Sequence, residues 1–470
     1  MSALLLLLIP VVCIFIVNIP PRNTAAKLVP WALGLTCLIQ AALAVLSQLP
    51  VWAVWDRALT LPLDIELVID PISAVILFLI ALVTAVATAV GTPGGPRDKV
   101  VVSSLIMMCM IGMNGVVMVR DLFSLYVFIE ITAVSTFIII ATQKSLAALA
   151  SSFKYYILSG LATVSILVAN AIVFMQIGSL AFDNVVSALN EGDLSVQIAL
   201  VLFTVAFCIK GGMAPFGLWL PDAHSSGSSA SSVLLSGIIA KVAGVYFVLR
   251  MMSEVLVGLH TPSLVFMTIG ALSVVVGAFA AMVQTDFKRM LAFSSISQMG
   301  YIVLAAGLAT PLAIIGAMAH FVAHALFKSQ LFVNAGAVKE QVGTTKLDEL
   351  SGLTERMPVT GWTSVIGFMS ASGIPPLAGF WSKLLIIVAL VQSGQWVFCV
   401  IAILASVATL GYSLILERAV FFGTLKEKFD ELKEARWSLS GTALILAGLT
   451  VCLGLAFPLV LVFLSSQGLL

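Results

Sequence analysis

Fourteen stretches of about 20 mostly apolar residues follow one another along the 470-residue chain, with only short polar joins between them. A helix of that length matches the roughly 30 Å hydrocarbon core of a bilayer. The stretches fall at 3–18, 29–54, 71–91, 99–118, 122–142, 154–177, 195–217, 230–257, 263–284, 290–308, 310–337, 358–393, 396–423 and 440–466. Inside such a core every backbone N–H and C=O needs a partner within the protein, and a helix supplies those partners locally. With 61% hydrophobic and only 10% charged residues, against roughly 25% charged in a soluble domain, the chain is expected to be an all-α polytopic membrane protein of about 14 transmembrane helices. A net charge of +1 leaves no basic patch for nucleic acid or anionic lipid, which argues against a nucleic-acid role.

Charge then orients the bundle, because Lys and Arg are retained on the cytoplasmic side. With the N-terminus outside, sixteen of the 23 basic residues, Lys288 and Arg289 among them, fall at cytoplasmic joins, while Arg57, Arg120 and Arg250 fall outside. An even number of spans puts the C-terminus outside as well. Leu4 to Val17 lacks the basic start and small-residue cleavage site of a signal peptide and reads as a retained span. The six cysteines, Cys13, Cys37, Cys109, Cys208, Cys399 and Cys452, lie singly in apolar stretches without CxxC spacing. They read as small buried hydrophobes, so no redox centre, no metal and no cofactor of the chain's own is expected. The polar runs Ala337–Arg356 and Thr424–Trp437 read as cytoplasmic joins. The second suits a solvated helical face, with a partner-docking surface as the alternative.

The remaining four basic residues, Lys210, Lys241, Lys328 and Lys383, lie inside spans, and so does the carboxylate Glu130. A charge at that depth costs about 3 kcal/mol or more and is usually tied to a partner or a water-filled path. Burial weakens the charged form of a Glu or a Lys, and a close opposite charge restores it. A Glu and a Lys that approach and separate therefore exchange proton affinity. Lys210 is the expected partner of Glu130, with a fixed structural ion pair as the competing reading. Lys241, midway along span eight, is placed for a relay station unless it snorkels to an interface. His320, His324 and Lys328 follow at i, i+4 and i+8 and should share one face of span eleven over about 12 Å. Imidazole exchanges protons near neutral pH, so this ladder suits proton passage. Zinc is the rival, but no third ligand stands nearby in the helix, and packed histidines without a transport role remain open. Asp222 and His224 either line an entrance to Lys210 or cap the next helix. Asp70-Pro71 reads as a helix start, and Ser294, Ser295, Ser297 and Gln298 make span ten polar enough to bond across helices.

Two spans are interrupted in similar company, by Lys210-Gly211-Gly212-Met213-Ala214-Pro215-Phe216-Gly217 and by Gly373-Ile374-Pro375-Pro376-Leu377-Ala378-Gly379-Phe380. Proline removes a backbone donor and clashes with the preceding turn, leaving polar backbone groups at depth. The breaks lie five spans apart. Two units offset by an odd number of spans must insert upside down relative to each other, which predicts an inverted repeat. Independent proline kinks are the alternative.

These residues resemble the antiporter-like subunits shared by respiratory complex I, energy-converting membrane-bound hydrogenases and multisubunit Na+/H+ antiporters. The likeness covers roughly residues 65–425. It rests on Phe128-Ile129-Glu130, Ile209-Lys210 through Trp219-Leu220-Pro221-Asp222-Ala223-His224, Leu235-Ser236-Gly237 to Lys241, Asp286-Phe287-Lys288-Arg289 through Gln298-Met299-Gly300-Tyr301, His324-Ala325-Leu326-Phe327-Lys328, and Gly379-Phe380-Trp381-Ser382-Lys383. The resemblance implies a coupled pair at Glu130 and Lys210, a connecting lysine at Lys241, a relay at His320, His324 and Lys328, and an exit gate at Lys383. It further implies two inverted five-helix bundles, spans 4–8 and 9–13, with spans 7 and 12 broken. The expected domains are 1–98, 99–257, 263–423 and 440–470. Two departures stand out. Ser225-Ser226-Gly227-Ser228-Ser229 replaces a common Ala-Pro step, so a more flexible join is expected. The chain also ends soon after span fourteen, without the long lateral helix of the largest complex I member, so one of the shorter types is expected.

The expected function is proton translocation by a membrane subunit of a complex I-like or hydrogenase-like redox complex in a prokaryotic plasma membrane, with other membrane subunits and the lipid bilayer as partners. A multisubunit Na+/H+ antiporter without redox chemistry is the alternative. A structural scaffold would be expected to have lost its buried charges.

Overall fold

Alternating caps and apolar runs set the helix boundaries in the computed structural model, which describes residues 2–48, 58–61, 65–91, 94–188, 193–256 and 259–466. The terminal residues 49–54 assigned to span two, and Arg57, lie outside the described residues. The chain begins with α1 (Ser2–Asn18) and α2 (Arg22–Leu46), then β1 (Ala58–Leu61) and β2 (Ile65–Val68). Next come α3 (Pro71–Val90), α4 (Pro96–Met118), α5 (Leu122–Ala141), α6 (Leu146–Ile177), the short α7 (Phe182–Ala188) and α8 (Leu194–Lys210). After α9 (Trp219–Ser226), a helix over 229–255 has α-helical turns, α10 (Ser229–Leu234) and α11 (Tyr246–Arg250), that alternate with π-helical stretches. The later helices are α12 (His260–Met282), α13 (Phe287–Leu308), α14 (Pro311–Val342), α15 (Pro358–Ser372), α16 (Ala378–Gln392), α17 (Trp396–Val420) and α18 (Trp437–Ser466).

Among the described residues eleven helices are long and apolar enough to cross a membrane, and Ala3–Asn18, Leu194–Lys210 and Ala378–Gln392 are shorter apolar helices. The all-α expectation needs one amendment. β1 and β2 pair antiparallel with Ala58 opposite Val68 and Leu61 opposite Ile65. Their few residues carry too short an alternation to stand out beside long apolar helices.

Side-chain caps fix the start of several helices. The Asp70 side chain accepts from Ser73 N and completes a reciprocal box at α3, while Asp121, Ser145, Asp286 and Thr310 cap α5, α6, α13 and α14 by accepting from a first-turn backbone N–H. A cap satisfies N–H groups that a helix cannot satisfy itself, a need that is acute where water is scarce. The serine run after His224 also works as a cap. Ser228 accepts from Ser231 N at the start of α10, so the last part of that run is a helix start.

The chain divides into two compact units, Met1–Gly211 with Ser226–Leu256, and Gly212–Ser225 with Val257–Leu470. Gly212–Ser225, expected at the end of span seven and in the join to span eight, thus groups with the second unit. There the Ala214 N–H donates to Ser273 Oγ at 3.0 Å and Asp222 pairs with Arg289 at 2.8 Å. In the first unit the helix over 229–255 is buried along its apolar stretch and forms the core, with Ser229, Ser253 and Glu254 at its ends partly exposed. Its end is fastened by Arg120 and Arg250, which bracket Asp70 at 2.5 and 2.6 Å and both reach Glu254. Spans seven and twelve each end their first half early, at Lys210 and Ser372. Gly212 (φ +65°) and Gly373 (φ +81°) turn the chain there in the left-handed region that glycine tolerates.

Burial differs from the sequence reading at one cysteine and is stronger than it suggests at one lysine. Lys288 is expected at the edge of a cytoplasmic join; Asp286 starts α13 before it, so Lys288 lies in the first turn and its side chain is fully buried. Cys452 is exposed, unlike the other five cysteines.

Candidate functional site

Close helix packing aims Glu130. A Cβ at Gly112 or Gly115 of α4 would collide with Thr132 and Phe128 of α5, so these glycines let the two helices approach through that face. Glu130 is thereby left toward α6, where Ser159 and Thr163 stand one turn apart. Lys210 Nζ lies 2.8 Å from Glu130 Oε1, 2.7 Å from Ser159 Oγ and 3.1 Å from Thr163 Oγ1. An ammonium has three N–H donors, and these three oxygens match them. Thr163 also hydrogen-bonds Glu130. The lysine is fully buried while the Glu130 side chain keeps 30% of its exposure.

Backbone geometry places Lys210 at this spot. It is the last residue of α8, where unsatisfied carbonyls favour a cation. Gly244 passes against the turn that follows. A Cβ on it would lie 2.3 Å from Gly211 N and Cα, so only glycine lets the buried helix over 229–255 cross the break. Lys241 sits in that helix, fully buried at the first position of the π-helical stretch Lys241–Val245. Such stretches are frequent at functional sites.

In the second unit, Lys383 answers the break from the other side. It belongs to α16, beyond the turn, and reaches back to the end of α15. The four terminal carbonyls of α15 are all used. Met369 O accepts from Ile374 N and Ser370 O from Gly373 N; Ala371 O accepts from Lys383 Nζ at 2.8 Å and Ser372 O from Ser406 Oγ at 3.1 Å. Lys383 Nζ also donates to Ser406 Oγ at 3.0 Å and stands 4.7 Å above the Tyr301 ring. Its neighbours are dipoles and a π face, with no carboxylate among these contacts.

The span-eleven residues share α14 and are all fully buried. His320 Nδ1 and Ser382 Oγ are 2.8 Å apart, which ties the ladder to α16 one residue from Lys383. The rings of His320 and His324 are 6.4 Å apart, too far for direct proton exchange. Lys328 turns to α13, where it bonds Leu291 O at 3.0 Å and the Ser294 hydroxyl. The structure therefore brings Glu130 to Lys210, and His320 to the Lys383 helix, but does not link Lys328 to the histidines through its hydrogen bonds.

Sequence reading leaves Asp222 and His224 open as an entrance or a cap. Neither caps α10. Asp222 pairs with Arg289, and His224 is buried in a stack on Phe332 with ring centroids 4.4 Å apart. It misses Ser159 and Thr163, whose i, i+4 spacing in α6 is the available signal. It also misses Glu417, a buried carboxylate in α17 inside the stretch 396–423, next to Arg418 at the span edge. Among the described residues no three of His, Cys, Asp or Glu gather as a metal-ligand set.

With this geometry in place, comparison with known proteins adds a family, two relatives and a solved structure. The family model described as "NADH:quinone oxidoreductase/Mrp antiporter, TM" matches residues 119–409. The D-type subunit of the Na(+)/H(+) antiporter of Alkalihalophilus pseudofirmus is similar at 30% identity over 404 residues, which are 84% of this chain and 81% of that protein. The N-type subunit of the NADH-quinone oxidoreductase of Desulforudis audaxviator is 30% identical over 455 residues, 90% of this chain and 88% of that one. Among solved structures, a chain of the archaeal membrane-bound sulfane sulfur reductase superposes with a TM-score of 0.89 at 26% identity, covering 99% of this chain and 96% of that chain.

Proposed function

The chain belongs to the NADH:quinone oxidoreductase/Mrp antiporter family of transmembrane subunits, and from that premise we propose that it translocates protons as one membrane subunit of a larger complex I-like or hydrogenase-like redox complex. The observation that carries this reading is the buried Lys210, held by Glu130 at the broken end of α8. A proton moves when the pair is pulled apart, because separation weakens the charged form of each partner. The turn at Gly211-Gly212 supplies a place where α8 can move without unwinding a continuous helix. Lys241 extends the line as a relay, and His320, His324, Lys328 and Lys383 carry it through the second unit.

In this reading the chain crosses a prokaryotic plasma membrane fourteen times with both termini outside. Residues 99–257 and 263–423 form two inverted five-helix repeats, flanked by 1–98 and 440–470. Proton transfer between these side chains needs no cofactor of the chain's own. A second reading, a multisubunit Na+/H+ antiporter without redox chemistry, is favoured by the similarity to the Alkalihalophilus antiporter protein over 84% of the chain. Co-purifying subunits separate the two, and vesicle flux with and without Na+ identifies the ion.

Lys210→Ala tests the shared core. In the assembled complex it is expected to abolish ion flux by a factor of about 100 or more while the subunits still co-purify. Wild-type flux from that variant in reconstituted vesicles would defeat the proposal.

A further inference from the structure

Glu417 is a buried carboxylate that the translocation reading does not use. It lies in α17 and is 7% exposed, and neither of its side-chain oxygens has a hydrogen-bond partner in the protein. Its polar neighbour is Ser364 of α15, whose buried hydroxyl approaches the carboxylate without completing a hydrogen bond and has no other partner. Buried polar groups are nearly always hydrogen-bonded, through ordered water where protein partners are lacking. A carboxylate and a hydroxyl left unsatisfied side by side therefore mark a polar, hydrated place inside an otherwise apolar unit.

Its surroundings extend in both directions. On α17, Ser406, Thr409, Ser413 and Glu417 recur at spacings of three and four, which puts them on one helix face over about 16 Å. Ser413 Oγ lies 3.4 Å from Ser372 Oγ; Ser406 Oγ donates to Ser372 O and accepts from Lys383 Nζ at 3.0 Å. Toward the other end, Ser364 lies one turn after Thr360 on α15, and Thr360 Oγ1 donates to Glu434 Oε1 at 2.6 Å. Glu434 is half-buried and belongs to the polar run between α17 and α18. Every residue in this line belongs to the second unit.

We propose that Glu417 is a further proton-carrying site, on a hydrated track that leads from the Glu434 and Thr360 face between α15 and α17 to Lys383. That face carries the joins whose basic residues predict the cytoplasmic side. An excess proton entering from the cytoplasmic-side water converts the carboxylate to the neutral acid, which passes it back to water in the line toward Lys383, whose amine accepts it after releasing its own proton onward. No co-reactant is needed. This inference rests on the translocation reading.

The test uses the intact complex reconstituted in vesicles. Glu417→Gln is expected to lower proton flux at least tenfold, and Glu417→Asp to restore at least half of it. A gate that merely needed a polar side chain for packing would accept glutamine. Independently of activity, Ser413→Cys in a Cys452→Ala background should react with a charged, membrane-impermeant methanethiosulfonate, while Leu416→Cys, fully buried on the same helix, should not. Wild-type flux from Glu417→Gln overturns the inference. Where that variant fails to assemble, an unreactive Ser413→Cys, or equal reaction at Leu416→Cys, overturns it. Wild-type flux from Lys210→Ala would sink the translocation reading itself, whereas loss there with normal flux from Glu417→Gln sinks the track alone.

Discussion

The two broken spans hold their lysines by different physics. Lys210 ends the first half of its span and faces a carboxylate. Lys383 begins the second half of its span and faces a helix-end carbonyl, a serine hydroxyl and a tyrosine ring. The shared signature, a lysine beside a glycine–proline interruption, therefore marks where backbone groups are freed but not how the ammonium is balanced. A full charge opposite falls off slowly in a poorly screened interior, whereas dipoles act at contact range. The first site is thus able to sense a neighbour's motion, and the second answers mainly to local geometry.

Exchanging the two chemistries is the strongest way to break this contrast. Glu130→Gln gives Lys210 only neutral acceptors, like Lys383, and is expected to cut flux about a hundredfold in reconstituted vesicles while assembly persists. Near-normal flux would mean that the carboxylate is a structural fastening. The reverse exchange, Ser406→Asp, gives Lys383 a carboxylate. It should slow flux about tenfold, equivalent to roughly 1.4 kcal/mol of tighter hold on the proton; faster flux would refute the idea that Lys383 works through dipoles alone.

The smallest effect is expected at the ionic cluster outside the breaks, where pairing serves to fasten. Burial by itself disfavours the Asp70 carboxylate, but the Arg250 guanidinium and the Ser73 hydrogen bonds outweigh it and hold the group below the usual carboxylate range. A carboxyl held low binds its proton more weakly in the folded than in the unfolded chain. Its contribution is complete above the unfolded value of about 4 and is lost as pH falls toward the folded value. Asp70→Asn should therefore lower Tm by about 2–4 °C at neutral pH, with the gap closing in acid. A gap that stays constant with pH would assign the loss to the cap alone.

How much can be read beforehand depends on the range of the signal. Long apolar runs, the two interruptions and the intramembrane charges are local in sequence, and each constrains the backbone directly. Glu130 and Lys210 are legible as partners because few ionisable groups lie nearby in the flanking spans. Ser159, Thr163 and Ser406 are not, since a serine in an apolar helix usually bonds its own backbone and only a neighbouring helix reveals another role. The burial of Lys288 and of Glu417 is not legible because each sits beside an arginine at a span end, where composition alone suggests solvent.

The sequence by itself determined a helical membrane chain, where its helices break and which charges enter the apolar region, because bilayer thickness and backbone hydrogen bonding act on contiguous residues. Tertiary structure alone decided that Gly212–Ser225 groups with the second unit, that Lys328 turns to α13 and away from its histidines, and that Ser413 and Ser406 of α17 meet Ser372 and Lys383. Those outcomes depend on which helix faces meet. Facing is set by close contacts such as Gly244 against Gly211, between residues far apart in the chain.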